Sequence, residues 1–321
     1  MAKILVYAEQ NNGTLEPTAL EILTKLRELG DCDAVVFGQG ASGVTGDLGK
    51  HGAKTVHVNE DAAFDDFVAQ PAAHALAELQ GQQSYDLIAF PMTYDARDIA
   101  GRLSAKLPAT LMSNALDIES PELVKTAIFG GEKIVDVKLE NDPKIVIFRA
   151  KSFAPEPASD GGDPTVEQLG VDISDDLKKA KRVQRHEEEA SGPKLEEAPV
   201  VISGGRGLQE PDNFKLIQEL ADAIGNAAVG ATRAIVDAGW VPYALQVGQT
   251  GKTVKPSVYI AIGISGATQH IVGMKGAKKI IAINTDPEAP LVKLADIALI
   301  GDLFTTIPAL IAELDRLGVQ R

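Results

Sequence analysis

Residues 259–270 read Tyr259-Ile260-Ala261-Ile262-Gly263-Ile264-Ser265-Gly266-Ala267-Thr268-Gln269-His270. An apolar run stops abruptly at Gly-Ile-Ser-Gly, then delivers an amide and an imidazole. A second apolar run, Ile280-Ile281-Ala282-Ile283, ends on the polar Asn284. Strand, glycine-rich turn, helix start and strand, in that order, form the geometry that cradles phosphates and nucleotides. The spacing is not GxGxxG, so the ordinary dinucleotide fingerprint does not cover it.

Outward from this stretch, five more short motifs follow or open strands. They are Gly204-Gly205-Arg206-Gly207, Ala231-Thr232-Arg233-Ala234, Gln246-Val247-Gly248-Gln249-Thr250-Gly251, Ala282-Ile283-Asn284 and Gly301-Asp302-Leu303-Phe304. Loops beyond the carboxyl ends of strands in an open parallel sheet converge on one crevice. Glycines there let the backbone approach a ligand and leave amides free for phosphate oxygens. Each motif alone has an ordinary role. GGRG is a plain turn, Asp302 an N-cap, Arg233 a solvated helix-start arginine, and His270 a structural histidine. Gly248-Gln249-Thr250-Gly251-Lys252 lacks the frame of a P-loop, so triphosphate hydrolysis is not supported.

The elements around these motifs form a second doubly wound unit. Val200–Gly205 reads as a strand, Asn213–Gly225 as an amphipathic helix and Ala231–Gly239 as a short helix. Tyr259–Ala261, Ile280–Asn284 and Asp296–Gly301 read as strands, with a helix after Gln269 and a closing helix over Thr306–Leu317.

The first half also alternates strands and helices. Strands are expected at Ile4–Ala8, Ala34–Gly38, His51–Val58 and Leu87–Pro91. Helices are expected at Leu15–Leu29, capped by Gly30, at Asp66–Gln80 and at Ala96–Lys106. Ile134–Leu139 and Lys144–Arg149 look like antiparallel partners joined by a turn at Asn141-Asp142-Pro143, an antiparallel extension of that domain. The Asp95, Arg97 and Asp98 cluster is the best site candidate in this half, and its ordinary role is to cap a helix. Pro155 to Pro199 is polar and marks the organisational break, although Leu169–Ile173 alternates. The expected fold is two mostly parallel α/β domains, residues 1–190 and 191–321, the second Rossmann-like, with a boundary near Glu188 to Pro193.

Composition narrows the function. A chain of 321 residues has two domains as its natural prior, and 45% hydrophobic with 24% charged residues is ordinary for a globular protein. A net charge of −14 argues against nucleic acid, which needs clustered Lys and Arg. The acidity serves solubility or steering toward a basic partner. The lone Cys32 excludes intrachain disulfides and cysteine-held clusters. The histidines His51, His57, His74, His186 and His270 show no metal-ligand spacing. The N-terminal strand pattern gives no signal peptide and no run approaches the ~18–20 residues of a membrane span, so a cytoplasmic location is expected.

In order and spacing, the six motifs resemble the electron-transfer flavoprotein alpha subunit. The resemblance covers essentially all of the C-terminal domain. Ile4-Leu5-Val6-Tyr7-Ala8-Glu9 extends it, more weakly, to nearly the full chain. It implies one FAD in the second domain and no substrate turnover of the chain's own. Single electrons would pass from flavin-containing dehydrogenases to an acceptor, a membrane quinone oxidoreductase, through an anionic semiquinone. It implies a heterodimer with a beta subunit that holds AMP, with the first domain in the interface. The family's donors include acyl-CoA, trimethylamine, dimethylglycine and sarcosine dehydrogenases.

By the same resemblance, Arg206 lies near the cofactor and Thr232, where the family commonly has Ser, contacts its phosphates. Arg233 lies over the isoalloxazine as a fixed positive charge. Val247, Gly248, Gln249 and Thr250 follow the flavin edge, with Thr250 donating to N5. Ser265, Gly266, Ala267, Thr268 and Gln269 bind the phosphates, and His270 meets the O2 carbonyl. Asn284 contacts the ribityl or phosphate chain, and Asp302 and Leu303 the adenosine side. The competing expectation is a nucleotide-binding regulatory protein of the same fold without redox use. A stand-alone flavin or nicotinamide enzyme would need an acid–base constellation, and residues 1–190 show none.

Overall fold

The computed structural model describes residues 1–131, 133–159, 161–184, 193–196 and 198–318. The chain divides into two compact units, Met1–Arg185 and His186–Arg321. The expected boundary from Glu188 lies outside the described residues, save for Pro193.

In unit one the strands are β1 (Ala2–Tyr7), β2 (Gln10–Asn11), β3 (Thr14–Leu15), β4 (Gly30–Phe37), β5 (Ala53–Asn59), β6 (Leu87–Pro91), β7 (Leu111–Ser120), β8 (Leu123–Ile128), β9 (Lys133–Lys138), β10 (Lys144–Phe148) and β11 (Thr165–Gln168). The helices are α1 (Thr18–Leu26), α2 (Thr45–Lys50), α3 (Ala63–Asp66), α4 (Gln70–Gln83) and α5 (Tyr94–Lys106). One sheet runs β11-β5-β4-β1-β6-β10-β7-β8-β9. It is parallel up to β7, and β8 and β9 are antiparallel. Alternate residues of β1 face opposite cores: Ile4 and Val6 join one, Leu5 and Tyr7 the other. That is the period of a strand buried on both faces.

Three local expectations are corrected here. Ile134–Leu139 and Lys144–Arg149 are not partners: β9 pairs with β8, and β10 lies between β6 and β7. The turn signal between them was genuine. But β10 is wholly buried and matches two parallel neighbours, whereas half-exposed β9 suits an edge. Gly30 does not cap a helix. α1 ends at Leu26 with Arg27 as its cap, and Gly30 opens β4, where a Cβ would collide with the Ala2 carbonyl. Thr93, not the Asp95 cluster, caps α5 by accepting from the Ala96 amide at 3.0 Å.

In unit two the strands are β12 (Val200–Gly204), β13 (Ala227–Ala231), β14 (Val258–Ile262), β15 (Lys279–Asn284) and β16 (Ile297–Ile300). The helices are α6 (Lys215–Ile224), α7 (Arg233–Asp237), α8 (Thr268–Met274), α9 (Pro290–Leu294) and α10 (Leu303–Leu317). All pairings are parallel in the order β13-β12-β14-β15-β16. The chain steps from β12 to one side and then returns to the other. Its direction therefore reverses between β12 and β14, where doubly wound sheets bind ligands. The expected helix over Ala231–Gly239 splits: Ala231 ends β13, and only Arg233–Asp237 is helical. Among the described residues no helix is long and apolar enough to cross a membrane.

Candidate functional site

The loops after β12 and β14 meet at the reversal point. Gly205 and Gly207 donate backbone hydrogen bonds to Ile262 and Gly263 at 3.0 and 2.9 Å. A Cβ on Gly205 would lie 2.5 Å from the Gly263 carbonyl oxygen. Gly263 has φ +61°, and its Cβ would lie 2.8 Å from Gly207 Cα. Only residues without side chains let these backbones touch, so the glycines follow from packing as well as from ligand approach.

Around this contact the structure brings together most of the expected residues. Arg206 is exposed at the loop's tip. Thr232 follows β13, and its amide bonds the Gly204 carbonyl at 3.0 Å. Its hydroxyl oxygen is buried and has no partner among the described residues. Arg233 opens α7 and pairs with Asp237 at 3.0 Å across an exposed turn. Such a pair contributes little to stability, about 0.3–0.5 kcal/mol, and leaves the guanidinium available.

The Gln246–Thr250 loop is tied on both sides. The Val247 amide reaches Ala231 at 2.9 Å, and the Gln249 amide reaches the Gln269 carbonyl at 2.7 Å. The Thr250 hydroxyl accepts from Gln246 Nε2 at 3.0 Å. It keeps its own proton for another acceptor. Ser265, Ala267, Thr268 and Gln269 are exposed ahead of and within the first turn of α8, and Gly266 is buried with φ +91°. The Ser265, Gly266 and Ala267 amides find no backbone acceptor among the described residues.

Other expected residues are engaged within the protein. Asn284 donates to the Ile264 carbonyl at 2.9 Å and accepts from the Asp286 amide at 3.0 Å. It braces the two loops. Asp302 caps α10, accepting from the Phe304 amide at 3.1 Å. Leu303 and Val247 have buried side chains, so only their backbones can face a ligand.

His270 is engaged by both ring nitrogens. The ring is buried, with Nδ1 at 3.0 Å from the Val247 carbonyl and Nε2 at 2.9 Å from the Tyr259 hydroxyl. Burial holds its pKa down at about 4, against the Val247 hydrogen bond, which raises it. The Val247 carbonyl can only accept, so when the ring is neutral its proton sits on Nδ1. Tyr259 itself was read only as a strand residue. A phenol in an otherwise aliphatic buried strand was the available signal, because a buried hydroxyl needs a partner.

The donor set suits a large anionic cofactor: an orphaned buried hydroxyl, three open amides, two exposed arginines and a glycine cradle. Among the described residues no group of carboxylates, histidines and cysteines is arranged to hold a metal ion. Cys32 is buried in unit one, and burial pushes its thiol up to about 12, so it is not a nucleophile.

Comparison with known proteins agrees with this geometry. Residues 194–275 match the family model described as the electron transfer flavoprotein FAD-binding domain, and residues 4–174 match the electron transfer flavoprotein domain. The chain belongs to the electron transfer flavoprotein alpha subunits. It is 38% identical to the electron transfer flavoprotein subunit alpha of Mycobacterium leprae, covering 97% of each chain. It is 40% identical to that of Pseudomonas aeruginosa, covering 96% of this chain and 98% of the relative. A probable mitochondrial alpha subunit from Caenorhabditis elegans is 41% identical over 97% of this chain and 93% of its own length. As an electron transfer flavoprotein alpha subunit it is an electron carrier, not an enzyme that turns over a substrate. Its second unit carries the flavin-binding domain, and the alpha designation implies a beta partner.

Proposed function

We propose that the loops at the carboxyl ends of β12 to β16 hold FAD, with the residue roles as follows. The observation that carries this is the orphaned Thr232 hydroxyl beside the glycine contact at the sheet's reversal point. FAD, when bound, supplies the redox chemistry, and the protein sets its potential by charge and hydrogen bonds. Thr232 and the amides of Ser265 to Ala267 hold the phosphates. Arg206 adds a positive charge near them. Arg233 places a permanent cation against the ring system and favours the reduced, more negative form. Thr250 offers a hydroxyl proton to the ring edge, oriented by Gln246. Asn284 and Asp302 hold the loops that line the ribityl and adenosine ends. His270, its ring set by the Val247 carbonyl and the Tyr259 hydroxyl, stands at the O2 end of the ring system.

The partners follow from family membership. Unit one forms part of the interface with the beta subunit, and AMP sits in that subunit. Electrons arrive from a flavin-containing dehydrogenase and leave to a membrane quinone oxidoreductase, with the complex in the cytoplasm. The flavin-bearing unit moves relative to the rest so that its flavin edge reaches each partner. The deciding experiment purifies the alpha–beta complex and titrates its flavin. Arg233→Ala should keep the flavin spectrum and lower the midpoint potential. A wild-type complex that binds no flavin, or an unmoved potential in the variant, refutes the site assignment.

A further inference from the structure

One short turn grips Thr250 at two points, of which the flavin reading uses one. Pro242 leads into the single helical turn Tyr243–Leu245, and the Gln246 amide closes it on the Tyr243 carbonyl at 2.9 Å. Residues three apart on so tight a turn face the same way. The side chains of Tyr243 and Gln246 accordingly both reach residue 250. Gln246 Nε2 donates to the Thr250 hydroxyl at 3.0 Å. The Tyr243 hydroxyl donates to the Thr250 carbonyl. A carbonyl can only accept, so the phenol's proton is committed there.

The second point matters because of what flanks it. Gln249 and Thr250 form an exposed tip between Gly248 and Gly251. Neither glycine can be replaced. A Cβ on Gly248, whose φ is +149°, would lie 2.9 Å from the Gln269 carbonyl oxygen, and one on Gly251 would lie 2.3 Å from that of Gln246. Close packing thus puts a swivel at each end of the tip. The Gln249 amide is held by the Gln269 carbonyl at 2.7 Å. At Thr250, Gln246 orients the side chain and Tyr243 anchors the main chain.

We propose that Tyr243 is a positioning residue for the flavin edge: its hydroxyl, on the Thr250 carbonyl, stops the tip from turning between its two glycines and keeps the Thr250 hydroxyl aimed at the ring. A donor held in place before the charge arrives acts at full strength, whereas one that must first be ordered does not. What the Thr250 hydroxyl meets rests on the flavin reading above; the anchor itself does not.

The test uses the FAD-loaded alpha–beta complex. Tyr243 is 47% exposed, so Tyr243→Phe removes the hydroxyl without touching the core. The first measurement is exchange of the Gly251 amide, which bonds the Gly248 carbonyl at 3.1 Å across the tip, read by NMR with nitrogen-labelled glycine. Exchange should quicken about fivefold, the scale of one lost hydrogen bond, with β15 staying within about twofold. The second is the flavin midpoint potential. It should fall in Tyr243→Phe and fall further in Thr250→Val, and the double variant should match Thr250→Val alone. Unchanged Gly251 exchange, an unmoved potential in Tyr243→Phe beside a lowered one in Thr250→Val, or shifts that add in the double variant each overturn the proposal. Tyr243→Leu lacks the same hydroxyl and should quicken exchange equally. Retained protection there overturns the proposal even if Tyr243→Phe does not fold. An unmoved potential in Thr250→Val removes the flavin-edge reading instead, and Gly251 exchange still decides the anchor.

Discussion

The two units reverse their strand order in the same way, yet fill the resulting crevice differently. In unit two the space beyond β12 and β14 is lined by backbone, with Gly205, Gly207 and Gly263 in contact. In unit one the reversal falls between β1 and β6, and side chains occupy the corresponding place. Glu9 follows β1 and bonds the Thr93 hydroxyl after β6. Asp95 pairs with Arg182 at 2.5 Å, and Arg182 also donates to the Asp65 carbonyl at 3.3 Å. Negative charge around it drives the pKa of Tyr7, at the end of β1, further upward after burial has raised it. A carboxylate-lined crevice closed by the chain's own guanidinium repels a polyphosphate, whereas bare amides and glycines admit one. A shared fold therefore does not bring a shared site.

The sharpest way to break this contrast is to put a side chain where unit two has none. Gly205→Val should cost about 3 kcal/mol or more and abolish FAD retention. Flavin absorbance after gel filtration, with chemical unfolding of the complex, would check both. A variant that keeps its flavin and its stability would show that backbone contact does not shape the crevice.

Acid should separate the units by the next largest margin. Each has a buried histidine whose pKa burial lowers, but Asp33 and Glu167 oppose the shift at His57, while only the Val247 carbonyl opposes it at His270. Above about pH 6.5 the His270 ring is neutral folded and unfolded, and pH has no effect through it. Below that the unfolded chain takes up the proton first. Stability is therefore lost from about 6.5 downward and levels off below about 4, after a loss of roughly 3 kcal/mol. Urea unfolding across this range should show the slope, and His270→Leu should remove it. His57→Leu should change the slope less.

A smaller effect is expected in unit one. Arg182→Ala leaves Asp95 without its partner and should destabilise by about 1 kcal/mol, the pair being partly solvated. Flavin content should not change, and a fall would mean that the acidic crevice matters to the cofactor site. Smallest of all, Arg233→Ala should move unfolding by less than about 0.5 kcal/mol while lowering the flavin potential. Thermal unfolding measured beside the redox titration distinguishes a surface ion pair from a cofactor contact.

Much of this was legible in the chain. β12, β14 and β15 stood out because each is a short apolar run ending on glycine or a polar residue. β13 did not, since Ala227-Ala228-Val229-Gly230-Ala231 has too little side-chain volume to show a period. The partner of β10 was misassigned because a turn signal reports that the chain bends, not which strand it joins. That the glycine loops after β12 and β14 meet was readable from their repetition at strand ends. The engagement of His270 was not, because Tyr259 lies 11 residues away and meets it only once β14 and α8 are packed. Sequence spacing tells which groups can reach a crevice; which of them are already spoken for is a tertiary fact.

The burial of Cys32 has a practical side. Thiol reagents attack the thiolate, and here it barely forms. To such reagents the folded chain behaves as if it had no cysteine at all. A cysteine introduced at Val183, which is 96% exposed, would thus be a single addressable point, available for a spin label or a fluorophore without any other substitution.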